Sequence, residues 1–288
     1  MRAPAGTTLI AALTMVCVTA EAGSVPNAWE TLPLARPLPA LATQDHITHE
    51  SARIWFATLG TGEPVVLLHG GLSSSDAWGN QVPALVESQH RVILIDSRGH
   101  GRSTLGEQPL SYELMETDVV AVMDHLHIEK AAVVGWSDGA IIGLIMAMKH
   151  PTRTAALYAF GANMDTRGVK PVSFSSPLLA KLAKRLGEDY ARVSATPEGF
   201  PDLRAAVSTM QKVEPDYNAA DLAAIHGPRV AIVEGDHEEF ITRAHTESLA
   251  HTIPGAKLIF LRGVSHFAPW QAPREFNRSM LAFLGGEP

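Results

Sequence analysis

The chain has 288 residues, of which 46% are hydrophobic and 18% charged, ordinary material for one large α/β domain or two small ones. Its formal net charge is -7, and RGHGR around Arg98 and Arg102 is the nearest thing to a basic patch. Nucleic acid is therefore not an expected partner, because phosphate binding needs clustered positive charge. A small molecule is, and composition leaves the oligomeric state open.

In chain order, Arg2 precedes an uncharged run, TTLIAALTMVCVTA (7–20), followed by Ala20-Glu21-Ala22. That is the layout of a cleaved export signal over residues 1–22. A membrane anchor or a buried helix is the alternative, but the run is shorter than the ~20 apolar residues that span a bilayer. Cys17, the only cysteine, lies inside it, so the mature chain is expected to lack disulfides. Periplasmic or secreted localisation follows, with no membrane attachment after cleavage. Residues 23–45, rich in Pro and Ala, read as a linker or a loosely packed N-terminal arm.

From residue 46 the pattern changes. HITH (46–49) pairs His46 with His49, either as metal ligands or, as favoured here, within a polar edge strand; no metal or other cofactor is expected. ARIWFATLG (52–60) reads as an antiparallel strand near the sheet edge. VVLLH (65–69), RVILID (91–96), AAVVGW (131–136), AALYAF (155–160), RVAIVEG (229–235) and KLIFLRG (257–263) are nearly continuous apolar runs of strand length. Such runs suit parallel strands covered on both faces. Helical periodicity over 113–126 and 140–149 alternates with them, which predicts an open α/β sheet with right-handed crossovers. Residues 163–226 interrupt the rhythm with two helices, 177–193 and 201–213. The expectation is a helical cap over the strand ends, where crossover loops meet ligands, against an elaboration far from any site. The core then comprises 46–162 and 227–288.

Gly135-Trp136-Ser137-Asp138-Gly139 fits G-x-S-x-G between a strand and a helix, the setting a nucleophile elbow requires. The turn is tight enough to need small residues two positions either side of the serine. It exposes Ser137 Oγ at a helix N-terminus, where amides and the helix dipole favour negative charge. An orienting acid and then a base should follow the serine along the chain. His266, in GVSHF after the last strand, is the expected base. The acid comes from VEGDHEE (233–239): the G-x-x-D pattern usual in such a fold, counted from Gly235, places Glu238 ahead of Asp236, which stays open. Oxyanion amides are expected from Asp138 and from Gly71, in the glycine loop after the first parallel strand. Trp136, Phe160, Phe267 and Trp270 are candidate pocket walls, Trp136 and Phe267 as substrate contacts. Each is also a reasonable core residue.

HGG (69–71), DSRGHGRS (96–103), GWSDG (135–139) and GVSHF (263–267) together resemble the α/β-hydrolase superfamily over residues ~46–286. GWSDGA is similar to the biphenyl-hydrolase-like, valacyclovirase-type esterases. That resemblance implies that the Asp138 carboxylate binds a substrate amino group; a cap on the following helix is the plainer role. Glu238 departs from the aspartate usual in that family. The expected activity is a cofactor-free serine hydrolase cleaving small carboxylic esters or related acyl compounds through an acyl-enzyme. C–C bond hydrolysis, a perhydrolase reaction, or a non-catalytic ligand-binding protein of the same fold are the alternatives.

Overall fold

A computed structural model describes Met1 and residues 26–171 and 176–286; the expected export signal and Cys17 lie outside the described residues. Eight strands form one sheet: β1 Thr43–His49, β2 Ala52–Leu59, β3 Glu63–Leu68, β4 His90–Ile95, β5 Ala131–Trp136, β6 Thr154–Phe160, β7 Arg229–Gly235 and β8 Lys257–Leu261. Their order across the sheet is β1-β2-β4-β3-β5-β6-β7-β8. β1 pairs antiparallel with β2, and β2 with β4; every other pair is parallel. The chain order reverses on either side of β3, so the strand ends of β3 and β5 open onto the crevice where α/β sheets bind ligands. The 52–60 run forms the second strand, antiparallel and next to the edge as expected. The edge is β1, whose polar, half-exposed residues need only one partner.

Among the described residues the helices are α1 Val82–Glu87, α2 Tyr112–His125, α3 Asp138–Lys149, α4 Pro177–Val193, α5 Phe200–Gln211, α6 Ala219–Ala223, α7 Arg243–Thr252, α8 Ala268–Gln271 and α9 Pro273–Leu284. None is long and apolar enough to cross a membrane. Two apolar layers sandwich the sheet. One packs α2, α3 and α7 against side chains such as Val66, Ile93, Val133 and Leu157. The other packs α1, α8 and α9 against Leu67, Leu94, Val134 and Tyr158 on the opposite face. Adjacent residues supplying opposite layers are what the strand period of two demands, and both layers being dry explains the unbroken apolar runs.

α4, α5 and α6 all lie between β6 and β7, and α4 and α5 line the cavity over the strand ends. α5 buries Leu203, Val207 and Met210, an i, i+4, i+7 stripe, against the core. α4 is held by Arg185, whose guanidinium donates to Pro33 O (2.7 Å) and stacks over Trp270. Arg192 of α4 also pairs with Asp76 at 3.1 Å. The N-terminal arm is anchored rather than loose. Leu32 is buried, Trp29 stacks on His237, and Gln271 Nε2 donates to Thr31 O at 2.9 Å.

His46 and His49 stand three residues apart on β1 and so point to opposite faces of the sheet. His46 reaches Arg102 O, while His49 Nδ1 meets the Asp118 carboxylate at 2.8 Å. Asp118 is in turn paired with the buried Arg98.

Candidate active site

The turn between β5 and α3 places Ser137 at φ 55° and ψ -119°, left-handed backbone that costs a non-glycine residue on the order of 1–3 kcal/mol. The surroundings impose it. Ser137 N donates to Phe160 O at 2.8 Å, and Ser137 O accepts from Ala140 N and Ile141 N. A methyl group on Gly135 would overlap Gly139 O and the Ala140 backbone, and one on Gly139 would overlap Leu68 O. The two glycines of the motif are thus required by contact with neighbouring backbone.

Asp138 is the first residue of α3, so its amide belongs to the first turn, where N–H groups lack helical acceptors. Across from it runs the loop after β3. A Cβ on Gly70 would lie 3.3 Å from Ser137 Cβ, and one on Gly71 2.5 Å from Asp138 Oδ2. His69 fixes this loop. Its Nε2 accepts from Ser97 N at 3.0 Å, which leaves Nδ1 as the donor to Gly70 O at 2.8 Å. Burial, partly countered by Asp96, pushes the His69 pKa down, which suits a ring that must stay neutral to make both bonds.

His266 stands after β8 and is buried, its Nδ1 2.8 Å from the Glu238 carboxylate. Glu238 Oε1 also accepts from Phe240 N (2.7 Å) and Ile241 N (3.3 Å). A carboxylate so engaged accepts the imidazole Nδ1 proton and leaves Nε2 as the basic nitrogen. Burial alone pulls the His266 pKa down. The Glu238 charge and hydrogen bond, with Glu239 and Asp138 adding, carry it above the ordinary histidine value. Asp236 is placed elsewhere: its Oδ1 accepts from Gly263 N (2.8 Å) and Val264 N (3.3 Å) and holds the loop that follows β8. The structure therefore brings Glu238, not Asp236, to His266.

The Asp138 carboxylate makes no cap on α3. Buried under the cap, it accepts from Tyr112 OH at 2.9 Å and from Gln211 Nε2 at 3.0 and 3.1 Å. Tyr112 opens α2 and Gln211 closes α5, so one side chain ties the elbow to both core and cap. Burial raises its pKa, and the two donors work against that rise.

Ser137, Asp138, Gly71 and His266 share one cavity of about 570 Å³ between the strand ends and the cap. Trp136, Phe267 and Trp270 line it, as expected, with Leu179, Leu182 and Val207 of the cap. Phe160 does not. It is fully buried behind His266, 6.2 Å between ring centroids, because its strand position faces α9 and Phe276. Phe240 fills the remaining side of the imidazole, edge-on at 4.7 Å. Tyr112, Gln211, Phe240 and Glu239, which accepts from His266 N at 2.9 Å, are contributors that sequence reasoning missed. For Gln211 a signal existed: Phe200, Arg204, Val207, Ser208 and Gln211 follow helical spacing along one face of α5.

Fold and motifs place the chain in the α/β-hydrolase superfamily, and it is an α/β hydrolase: a family model described as alpha/beta hydrolase fold matches residues 63–200. A putative carbamate hydrolase, RutD, of a Caulobacter species is 31% identical, covering 77% of this chain and 91% of its own length. The mouse serine hydrolase BPHL is 25% identical over 88% of this chain and 91% of its own. Among solved structures, a meta-cleavage product hydrolase of Pseudomonas fluorescens superposes with a TM-score of 0.71 at 22% identity, covering 85% of this chain and 98% of that one.

Proposed function

We propose that the chain is a serine hydrolase of small carboxylic esters and related acyl compounds, acting through an acyl-enzyme on Ser137. The observation that carries this reading is the 2.8 Å Glu238–His266 pair, set in the same cavity as a serine on strained backbone. Ser137 Oγ attacks the carbonyl carbon while His266 Nε2 takes its proton. The amides of Asp138 and Gly71 hold the oxyanion. As the tetrahedral adduct collapses, the proton passes to the departing alcohol and the acyl group stays on Ser137. Water then attacks the acyl carbon with His266 again as base, releasing the acid and restoring the enzyme. Trp136 and Phe267 give the acyl group an apolar wall. No step calls for a metal or organic cofactor.

Carbamates and the C–C bonds of meta-cleavage products, the chemistries in relatives' names, would enter the same first step; a carbamate can change the group left on Ser137, and a C–C substrate expels carbon, which must take the proton. The test is hydrolysis of p-nitrophenyl acetate with labelling by a fluorophosphonate. Wild type should turn over and label at Ser137, whereas Ser137→Ala should lose on the order of 10⁴-fold or more in kcat and fail to label. An alanine variant with full activity refutes the nucleophile. A wild type that binds esters yet neither hydrolyses them nor labels would be a binding protein on this fold.

A further inference from the structure

Besides Tyr112, six ionisable side chains line the cavity: Asp138, Lys170, Arg204, Lys212, Glu214 and His266. Four of them are engaged. Asp138 takes Tyr112 and Gln211, and His266 holds Glu238. Glu214 Oε2 accepts from Tyr112 N at 2.9 Å, and Lys170 Nζ donates to Glu238 O at 2.6 Å. Arg204 and Lys212 have no side-chain hydrogen bond or ion pair among the described residues, and both belong to the α5 segment of the cap. The cavity is therefore polarised. Its carboxylates are committed around Tyr112 at the floor, and its uncommitted charge is positive and sits on the cap, in a chain whose net charge is -7.

The geometry points to an acyl substrate that carries an anionic group, a carboxylate at the far end of the acyl chain, paired with Arg204 and assisted by Lys212. This rests on the reading of Ser137 as the nucleophile and adds the substrate class to it. Arg204 lies seven residues before Gln211, which is two turns along the same face of α5. Gln211 is bonded to the residue beside the nucleophile, and the Arg204 backbone stands about 10 Å along the helix from Gln211. A side chain of arginine length shortens that gap to the span of a few methylene groups. Val207, one turn from Arg204 and buried, gives the intervening chain an apolar wall. Arginine also suits the task, since its planar fork meets a carboxylate with two parallel donors.

The test compares kcat/KM for three kinds of p-nitrophenyl ester: neutral hexanoate, cationic ε-aminocaproate, and the anionic monoesters of succinate, adipate and suberate. Wild type should favour adipate or suberate over the aminocaproate by about tenfold or more, equivalent to about 1.4 kcal/mol, expressed in KM. The preference should be absent for the shorter succinate and should shrink in high salt. Arg204→Gln should erase most of it, Arg204→Lys should restore part, and Arg204→Glu should turn it toward the aminocaproate. Two results overturn the inference: a wild type indifferent to terminal charge or preferring the amine, or an anionic preference that survives Arg204→Gln combined with Lys212→Gln. Ser137→Ala run alongside separates the failures. Loss of all turnover with flat charge ratios sinks only the substrate class, while retained turnover sinks the nucleophile.

Discussion

Replacing Glu238 by glutamine tests the acid assignment most directly, because the structure dictates which way the new amide must turn. Two backbone donors, Phe240 N at 2.7 Å and Ile241 N at 3.3 Å, require an oxygen at the Oε1 position. The glutamine oxygen goes there, and its NH₂ faces His266 Nδ1. That nitrogen then has to accept, so the ring proton moves to Nε2, the nitrogen that must receive the proton of Ser137. Holding imidazole in the wrong tautomer costs about 10⁴ in kcat, or about 5.5 kcal/mol of transition-state stabilisation. Asp236→Asn should lose only a few-fold. Its oxygen can still accept from Gly263 N and Val264 N, and nothing links it to His266. The assay is p-nitrophenyl acetate hydrolysis from about pH 5 to 9. A base must be unprotonated to act, so wild-type kcat/KM should rise with a midpoint above the usual histidine value of 6.5. The residual activity of Glu238→Gln should rise at lower pH, since the anion that stabilises the imidazolium is gone. A Glu238→Gln enzyme within tenfold of wild type, beside an Asp236→Asn enzyme reduced a thousandfold, would refute the reasoning.

The other predictions concern the supports of the site. Gly139→Ala should lower Tm despite the ~1 kcal/mol of helix propensity gained, because the new methyl overlaps Leu68 O; a raised Tm contradicts the contact. His69→Ala leaves Gly70 O and Ser97 N without their partner, which should destabilise by about 2–4 kcal/mol and reduce kcat with little change in KM. Equal stability in urea would show that the imidazole does not hold the loop. Glu234 is buried with Oε2 unpartnered, and burial together with the Glu238 charge raises its pKa to about 7. A carboxyl with a raised folded pKa contributes stability in acid that is lost as pH climbs through that value. Wild type should thus lose about 2 kcal/mol between pH 5 and 8 that Glu234→Gln keeps; parallel urea curves for the two proteins across that range would contradict it.

The parallel strands were legible because a sheet covered on both faces leaves unbroken apolar runs, and β6, read as 155–160, begins only one residue earlier, at Thr154. α4 was legible to its ends, since Pro177 starts it and its apolar residues repeat at helical spacing. α1 and α6 were not, for six and five residues are too few to show a period. The arm 23–45 misled by composition. Proline and alanine are common in linkers, yet Leu32 is buried, Trp29 stacks on His237 and Thr31 O accepts from Gln271 of α8, far along the chain. The same distance hid the environment of Asp138. G-x-S-x-G places its amide, but Tyr112 and Gln211 lie 26 and 73 residues away and arrive only when α2 and the cap fold over the elbow. Glu238 was reachable by counting from Gly235, because the spacing of a short turn is local.

Asp138 presents an electrostatic problem whose solution assigns the labour within the site. Its carboxylate borders Gly71, so an ionised Asp138 would repel an oxyanion held by the Gly71 amide. The proposed attack would also convert His266 to a cation, which Asp138 attracts. What remains is the cost of burying it, and Tyr112 and Gln211 offset that with two donors. A substrate ammonium entering there would compete with both donors and loosen α5 from the elbow. The carboxylate therefore works as the tie between nucleophile turn and cap. The substrate charge proposed above would then be met by Arg204 and Lys212 of the α5 segment, the uncommitted cations lining the cavity among the described residues.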